Sequence, residues 1–248
     1  MRLSADLKRE VLRKALHVAF SSALLLPFNE QFAGLLKATW GLGPTEYYAI
    51  IAVSLAAVNA AQVRRPLIRE EILRVMRAGR RKIMDEIKEL FLSRTAPGVR
   101  LASMLDRLDE ALTNLETTFS SQIDMLERSY ERVSGYIGVT FGVVSVLASY
   151  VLFRGSALYG VLALMVVDPV AALATRALPS RLMPASRTSV AGAALSALAY
   201  ALALTALGLD PARVAALALV ASMAEAYGVE DNISIPVLTS LSAFLLGA

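Results

Sequence analysis

The sequence predicts an all-α fold, a polytopic membrane helical bundle of about seven spans with a helical hairpin inserted outside the bilayer. Three observations predict it. The 248 residues are 56% hydrophobic with a mean hydropathy of +0.56, above the roughly 45–50% apolar content of soluble domains. The charged residues, 19% of the chain, are segregated: Val133–Phe153 carries none over a bilayer-length run,. Between Arg64 and Arg132, by contrast, charges are dense and apolar residues recur every three or four positions, the spacing of one helix face.

The chain divides into residues 1–63, 64–132 and 133–248. Residues 1–14 form a basic amphipathic start with Arg2, Lys8, Arg9, Arg13 and Lys14. A short first span is expected over Ala15–Pro27, with no small-residue cleavage site after it,. Asn29–Thr45 reads as a mixed loop in which Trp40 suits the membrane interface, and Glu46–Val63 as a second span,. In the charged segment, one apolar series includes Ile72, Val75, Ile83, Ile87, Leu90 and Phe91. A second includes Leu101, Leu105, Leu108, Leu112, Leu115, Phe119, Ile123, Leu126 and Tyr130. These steps fit a coiled-coil seam, and Ala96-Pro97-Gly98 breaks it into an antiparallel hairpin,. Such an arm suits a solvated support, a homodimer contact through residues 64–132, or partner docking. Five further spans are expected: Val133–Phe153, Ser156–Leu173, Thr188–Leu207, Ala212–Tyr227 and Ile233–Leu246.

Lys and Arg concentrate in the N-terminal tail, the 64–132 segment and the Arg176–Arg187 loop, which seven spans place on one side. The positive-inside rule makes that side cytoplasmic in a multi-pass cell-membrane protein. The unusual polar residues then collect on the same face: His17, Asp168, Arg187-Thr188, Glu225, Glu230, Asp231 and Asn232. Ionisable residues at membrane depth are costly and mark function. Each has a bland reading too. Arg13 and Lys14 suit snorkelling flanks, His17 packing, Asp168-Pro169 a helix end and Asp231-Asn232 a helix cap.

Cysteine is absent and there is one histidine, which excludes disulfides, thiolate chemistry and Cys-type metal sites and argues against a His-based metal site. No basic patch interleaved with aromatics suggests nucleic acid. Carboxylates Asp168, Glu225 and Asp231 are the oxygen donors Mg²⁺ prefers,. Arg13, Lys14 and Arg187 are cations suited to phosphate,. Together they fit phosphoryl or nucleotidyl transfer onto a lipid. No Walker motif or kinase glycine-rich loop is present,.

Several segments resemble the polyprenol kinases, the group of dolichol kinase, phytol and farnesol kinase and the CTP-dependent diacylglycerol kinases. Glu10-Val-Leu-Arg-Lys-Ala-Leu-His17 is similar to their Arg-Lys-x-x-His opening, and Asp168-Pro-Val-Ala171 to their Asp-x-x-Ala segment. Glu225 through Asp231-Asn232-Ile-Ser-Ile-Pro236 looks like their Glu…Asp-Asn-x-x-x-Pro ending, and Glu131-Arg-Val-Ser-Gly135 like the entry to a span. The likeness covers the membrane portion. The chain departs from the pattern at Thr175 and Pro179, where the family has glycines, and at Val190, where it has Glu.

The resemblance implies a CTP-dependent kinase phosphorylating an isoprenoid alcohol with Mg²⁺. By it, Asp168 holds metal and nucleotide, and Arg187 and Thr188 contact phosphate. Asp231 and Asn232 complete the metal site or orient the acceptor hydroxyl, beside Glu225. His17, Arg13 and Lys14 line the acceptor or phosphate side. Two alternatives stay open: a lipid-phosphate cytidylyltransferase, and a non-catalytic membrane scaffold acting through its arm.

Overall fold

A computed structural model describes residues 5–64, 68–92, 98–126 and 137–248. The described residues are helical apart from short connections and one isolated antiparallel bridge, Leu182 with Ser189. The helices are α1 (Ala5–Leu25), α2 (Glu30–Trp40), α3 (Pro44–Arg64), α4 (Ile68–Leu92) and α5 (Gly98–Leu126). They continue as α6 (Ile137–Phe153), α7 (Ala157–Ala177), α8 (Val190–Ala206), α9 (Pro211–Tyr227) and α10 (Asp231–Leu245). Three stretches are long and apolar enough to cross a membrane: Leu7–Phe28, Pro44–Arg64 and Ile137–Ala177. The last covers both α6 and α7, and Val190–Ala206 is a shorter apolar helix. These stretches mark the chain as a membrane protein.

Two compact units form, residues 1–58 with 136–248, and residues 59–135. The first joins both apolar ends of the chain. Its core has two parts. Ala163, Leu164 and Val167 of α7 pack with Tyr200 and Leu204 of α8, Leu217 and Ala221 of α9, and Ile235 and Ala243 of α10. Leu24, Tyr48, Ala52, Val143, Val146 and Val161 form the other part. There Tyr48 donates from its hydroxyl to the Leu24 carbonyl at 2.7 Å and Tyr47 to that of Ala23 at 3.0 Å. Buried phenols need such partners. Leucines such as Leu198, Leu202, Leu219 and Leu245 are exposed, as expected for a surface whose solvent is lipid.

Small residues set how closely the helices approach. A Cβ on Gly160 of α7 would stand 2.1 Å from Ser240 Oγ and 2.3 Å from the Pro236 carbonyl of α10. Only glycine permits that approach. Pro236 also lacks the N–H that would bond the Asn232 carbonyl one turn back. Ser145 of α6 donates its hydroxyl to that carbonyl instead, at 2.6 Å. The gap left by proline is thus filled from a neighbouring helix.

Three expectations need correction. Asn29–Thr45 is not a loop, because α2 occupies most of it. Asn29 caps its start, accepting from Phe32 N at 3.1 Å, and Gly41 ends it at φ 66°,. Asp168-Pro169 is not a helix end, because the helix passes through Pro169 and continues to Ala177. Thr188 does not open the next helix. Ser189 is its N-cap, accepting from Gly192 N at 3.0 Å.

The second unit contains α4 and α5. They are joined by ion pairs from Arg77 to Glu116 at 2.8 Å and from Arg80 to Asp109 at 2.7 Å, with Arg80 also reaching Glu116 and Thr113. The pairing runs antiparallel. Of the expected apolar seam, Ile87, Leu105 and Leu112 are half-buried, whereas Val75, Ile83, Leu108 and Leu115 are exposed; Met84, not assigned to the seam, is buried. The expected hinge at Ala96-Pro97, and the readings at Tyr130 and Glu131–Gly135, lie outside the described residues.

Candidate functional site

One stripe of α1 faces α7 as a ladder of three rungs. Glu10, Lys14 and His17 are spaced four and three residues apart, so they share one helix face,. Their partners on α7 run the opposite way. Glu10 pairs with Arg176, Lys14 with Asp168, and His17 Nε2 lies 3.1 Å from the Leu164 carbonyl. The Lys14 ammonium is 2.6 Å from Asp168 Oδ1, and His17 Nε2 is 3.4 Å from Asp168 Oδ2. Lys14 and Asp168 are both buried. A buried carboxylate needs such compensation.

Two more carboxylates reach Asp168 from other helices. Glu225 comes from the last turn of α9 and Asp231 from the first turn of α10. One carboxylate oxygen from each of Asp168, Glu225 and Asp231 lies within 4.8 Å of the others. Glu225 is buried, and its Oε2 has no hydrogen-bond partner. Three like charges at this spacing repel one another. An orphaned buried oxygen beside two further hard donors is the type of oxygen set that divalent cations such as Mg²⁺ take, so the donor chemistry, though not a coordination geometry, suits such an ion.

The cluster's borders are fixed by local chemistry. Thr188 is buried and interacts with the Glu225 carboxyl. Its amide donates to Ser186 Oγ at 3.0 Å, and the Ser186 hydroxyl donates to the Ala226 carbonyl at 2.7 Å. This ties the loop before α8 to the end of α9. Asn232 donates from Nδ2 to Glu230 Oε1 at 3.1 Å. A Cβ on Gly138 of α6 would stand 3.1 Å from that same Nδ2, so the amide sits closely against α6.

The structure thus brings together Lys14, His17, Asp168, Glu225, Asp231 and Thr188. Asn232 lies on the α6 side. Arg187 is exposed on the loop ahead of α8. Arg13 is engaged by Glu10 rather than by the carboxylate cluster. Sequence reasoning gave no role to Glu10, Arg176, Ser145 or Ser186. The i, i+4, i+7 spacing of Glu10, Lys14 and His17 is the signal that would have drawn Glu10 in.

At the two departures from the glycine pattern, Thr175 has a definite task. Its Oγ1 accepts from Ser189 N at 3.0 Å. A Cβ on Gly192 would stand 2.3 Å from the same oxygen. Thr175 therefore anchors the start of α8 on α7. No family model, curated relative or solved structure matches the chain.

Proposed function

We propose that the chain is a membrane-embedded lipid kinase that moves the γ-phosphoryl group of a nucleotide, CTP by resemblance, to the terminal hydroxyl of an isoprenoid alcohol. One observation carries the reading: three carboxylates from three helices meet at a buried Lys14–Asp168 pair with His17 beside it. Two cationic or titratable groups and three acidic ones in one buried place suit phosphoryl transfer, which depends on positioning and charge neutralisation.

In this reading Asp168, Glu225 and Asp231 hold Mg²⁺, which when bound neutralises phosphate charge. Lys14 counters the charge that collects on the transferring oxygens. The acceptor hydroxyl oxygen bonds to the γ-phosphorus as the bond to the β,γ-bridging oxygen breaks. The hydroxyl proton leaves to a neighbouring base, and the products are a lipid monophosphate and the nucleoside diphosphate. His17 is held on α7 by the Leu164 carbonyl, so its ring is oriented against Asp168. Thr188 borders the phosphate side, and Asn232 orients the acceptor hydroxyl.

The helices α1, α3, α6, α7, α8, α9 and α10 are the seven spans of this reading. The site lies at the end where Lys and Arg concentrate, on the cytoplasmic side,. The α4–α5 pair is then a cytoplasmic arm.

The test is transfer from γ-labelled CTP to a polyprenol by full-length protein in liposomes with Mg²⁺. Labelled polyprenyl phosphate, lost in Asp168→Asn, supports the kinase. Absence of label with every lipid alcohol, and Asp168→Asn behaving like the parent, overturns it. Release of pyrophosphate with a lipid phosphate would assign a cytidylyltransferase instead.

A further inference from the structure

We infer that Glu10 is a positioning residue that holds Arg13 and Arg176 together as a seat for a phosphate anion at the mouth of the carboxylate cluster. Glu10 is only 2% exposed. Its Oε1 pairs with Arg13 of its own helix and its Oε2 with Arg176 of α7. Neutralising a buried carboxylate takes one cation. A second arginine leaves the trio with a net positive charge. Each guanidinium carries five N–H donors, and a single nitrogen of each meets Glu10. Both side chains remain accessible, Arg13 at 29% and Arg176 at 48%. Two arginines fixed on one carboxylate present the forked donors that match phosphate oxygens.

Location gives the seat its use. Glu10 lies one helical turn from Lys14 on the same face of α1,. The rung beneath the arginines is therefore Lys14–Asp168. Backbone donors nearby are already taken: Ser189 N by Thr175 Oγ1 and Gly192 N by Ser189 Oγ. Anion recognition at this wall falls to side chains. Assigning the seat to the phosphates of the donor nucleotide rests on the kinase reading, whereas the anion seat itself does not.

The test uses full-length protein in phosphatidylcholine nanodiscs, with chelator present so that the carboxylate cluster contributes no metal. Tripolyphosphate is titrated calorimetrically. The parent should bind it, and Arg176→Gln and Arg13→Gln should each weaken binding about tenfold or more. The decisive variant is Glu10→Gln. It makes the mouth more positive, so simple electrostatic attraction predicts tighter binding, whereas positioning predicts weaker binding. Glu10→Asp should retain more affinity than Glu10→Gln. Equal or tighter binding by Glu10→Gln, or no change in Arg176→Gln, overturns the seat. If Glu10→Gln fails to fold, Arg176→Gln and Arg176→Lys carry the test, because Arg176 is half exposed; lysine keeps the charge but loses the fork, and should bind more weakly than the parent.

A second arm adds a minority of phosphatidic acid to the nanodiscs. Competition with tripolyphosphate that depends on Arg176 would assign the seat to a lipid headgroup and overturn the donor assignment. Tripolyphosphate binding without any transfer to lipid alcohols would remove the kinase reading and leave the seat standing. Transfer that is unchanged in Arg176→Gln would overturn the assignment of the seat to the donor nucleotide and leave the kinase reading standing.

Discussion

The Lys14 ammonium lies 2.6 Å from Asp168 Oδ1, where α1 crosses α7, and both side chains are less than a tenth exposed. Glu225 and Asp231 bring two further carboxylates to the same place. Lys14→Met leaves Asp168 without its direct counter-ion. Breaking a buried pair from one side costs about 3–5 kcal/mol. The thermal midpoint of the purified protein should fall clearly. Mg²⁺ should then raise the midpoint of Lys14→Met more than that of the parent, because a divalent cation replaces the missing charge. A variant as stable as the parent, or one indifferent to Mg²⁺, contradicts this account.

Glycine spacing makes a sharper comparison. Gly160→Ala introduces a Cβ at 2.1 Å from Ser240 Oγ and 2.3 Å from the Pro236 carbonyl, so α7 and α10 must separate. Overpacking of this kind costs about 1–3 kcal/mol. The same helices carry Asp168 and Asp231, so in the proposed kinase reading transfer should fall with stability. Gly142→Ala meets Asn232 only at 3.8 Å, an ordinary contact, and should be close to neutral. Measuring both midpoints under one condition decides the matter; similar losses in the two variants would refute it.

The α4–α5 pair offers a pH prediction. Arg77 and Arg80 hydrogen-bond the Glu116 carboxylate and hold its pKa below the usual glutamate value. The folded pair therefore binds fewer protons than the unfolded one in that range. Its contribution is complete above the unfolded value of about 4.3, and is lost as pH falls through the lower folded value. Amide exchange of α4 and α5 in the full chain should rise as pH is lowered through this window, after correction for intrinsic rates. Glu116→Gln should abolish the pH dependence. Added salt should weaken the same protection, since these groups are exposed to screening.

How much of this was legible follows from which forces are local. Apolar runs and segregated charge announce helices and a membrane, because both act along the chain. The helix α2 escaped because its eleven residues mix glycine, lysine and apolar side chains, and its caps, Asn29 and Gly41, look equally like loop residues. Pro169 suggested a helix end, but a proline removes one hydrogen bond, and the packing of Ala171 and Ala174 carries the helix onward,. The carboxylates Asp168, Glu225 and Asp231 stood out as charges in apolar surroundings. Arg176 did not, because its pairing with Glu10 exists only after α1 and α7 pack. In the hairpin, periodicity located the helices and part of the inward face, where Leu105 and Leu112 are half-buried, but not the pairing of Arg80 with Asp109 and Glu116 that joins them.

Thr175 gives the last prediction. Its hydroxyl accepts from Ser189 N at 3.0 Å, and Ser189 in turn caps α8. Thr175 thus anchors the C-terminal end of the loop that carries Thr188 to the edge of the carboxylate cluster, beside the tie that Ser186 makes to Ala226. Thr175→Val keeps the volume and removes the acceptor, leaving a buried N–H unsatisfied at a cost of about 1–3 kcal/mol. Thr175→Ser keeps the oxygen and should behave like the parent. Thr175→Gly removes both the oxygen and the volume against which Gly192 packs, so it should be the least stable of the three. Limited proteolysis between Ser180 and Arg187 reads the loop directly: cleavage should rise in the order Ser, Val, Gly. If Thr175→Gly instead protects the loop, glycine at this position relieves a constraint, and the anchor assigned to Thr175 is wrong.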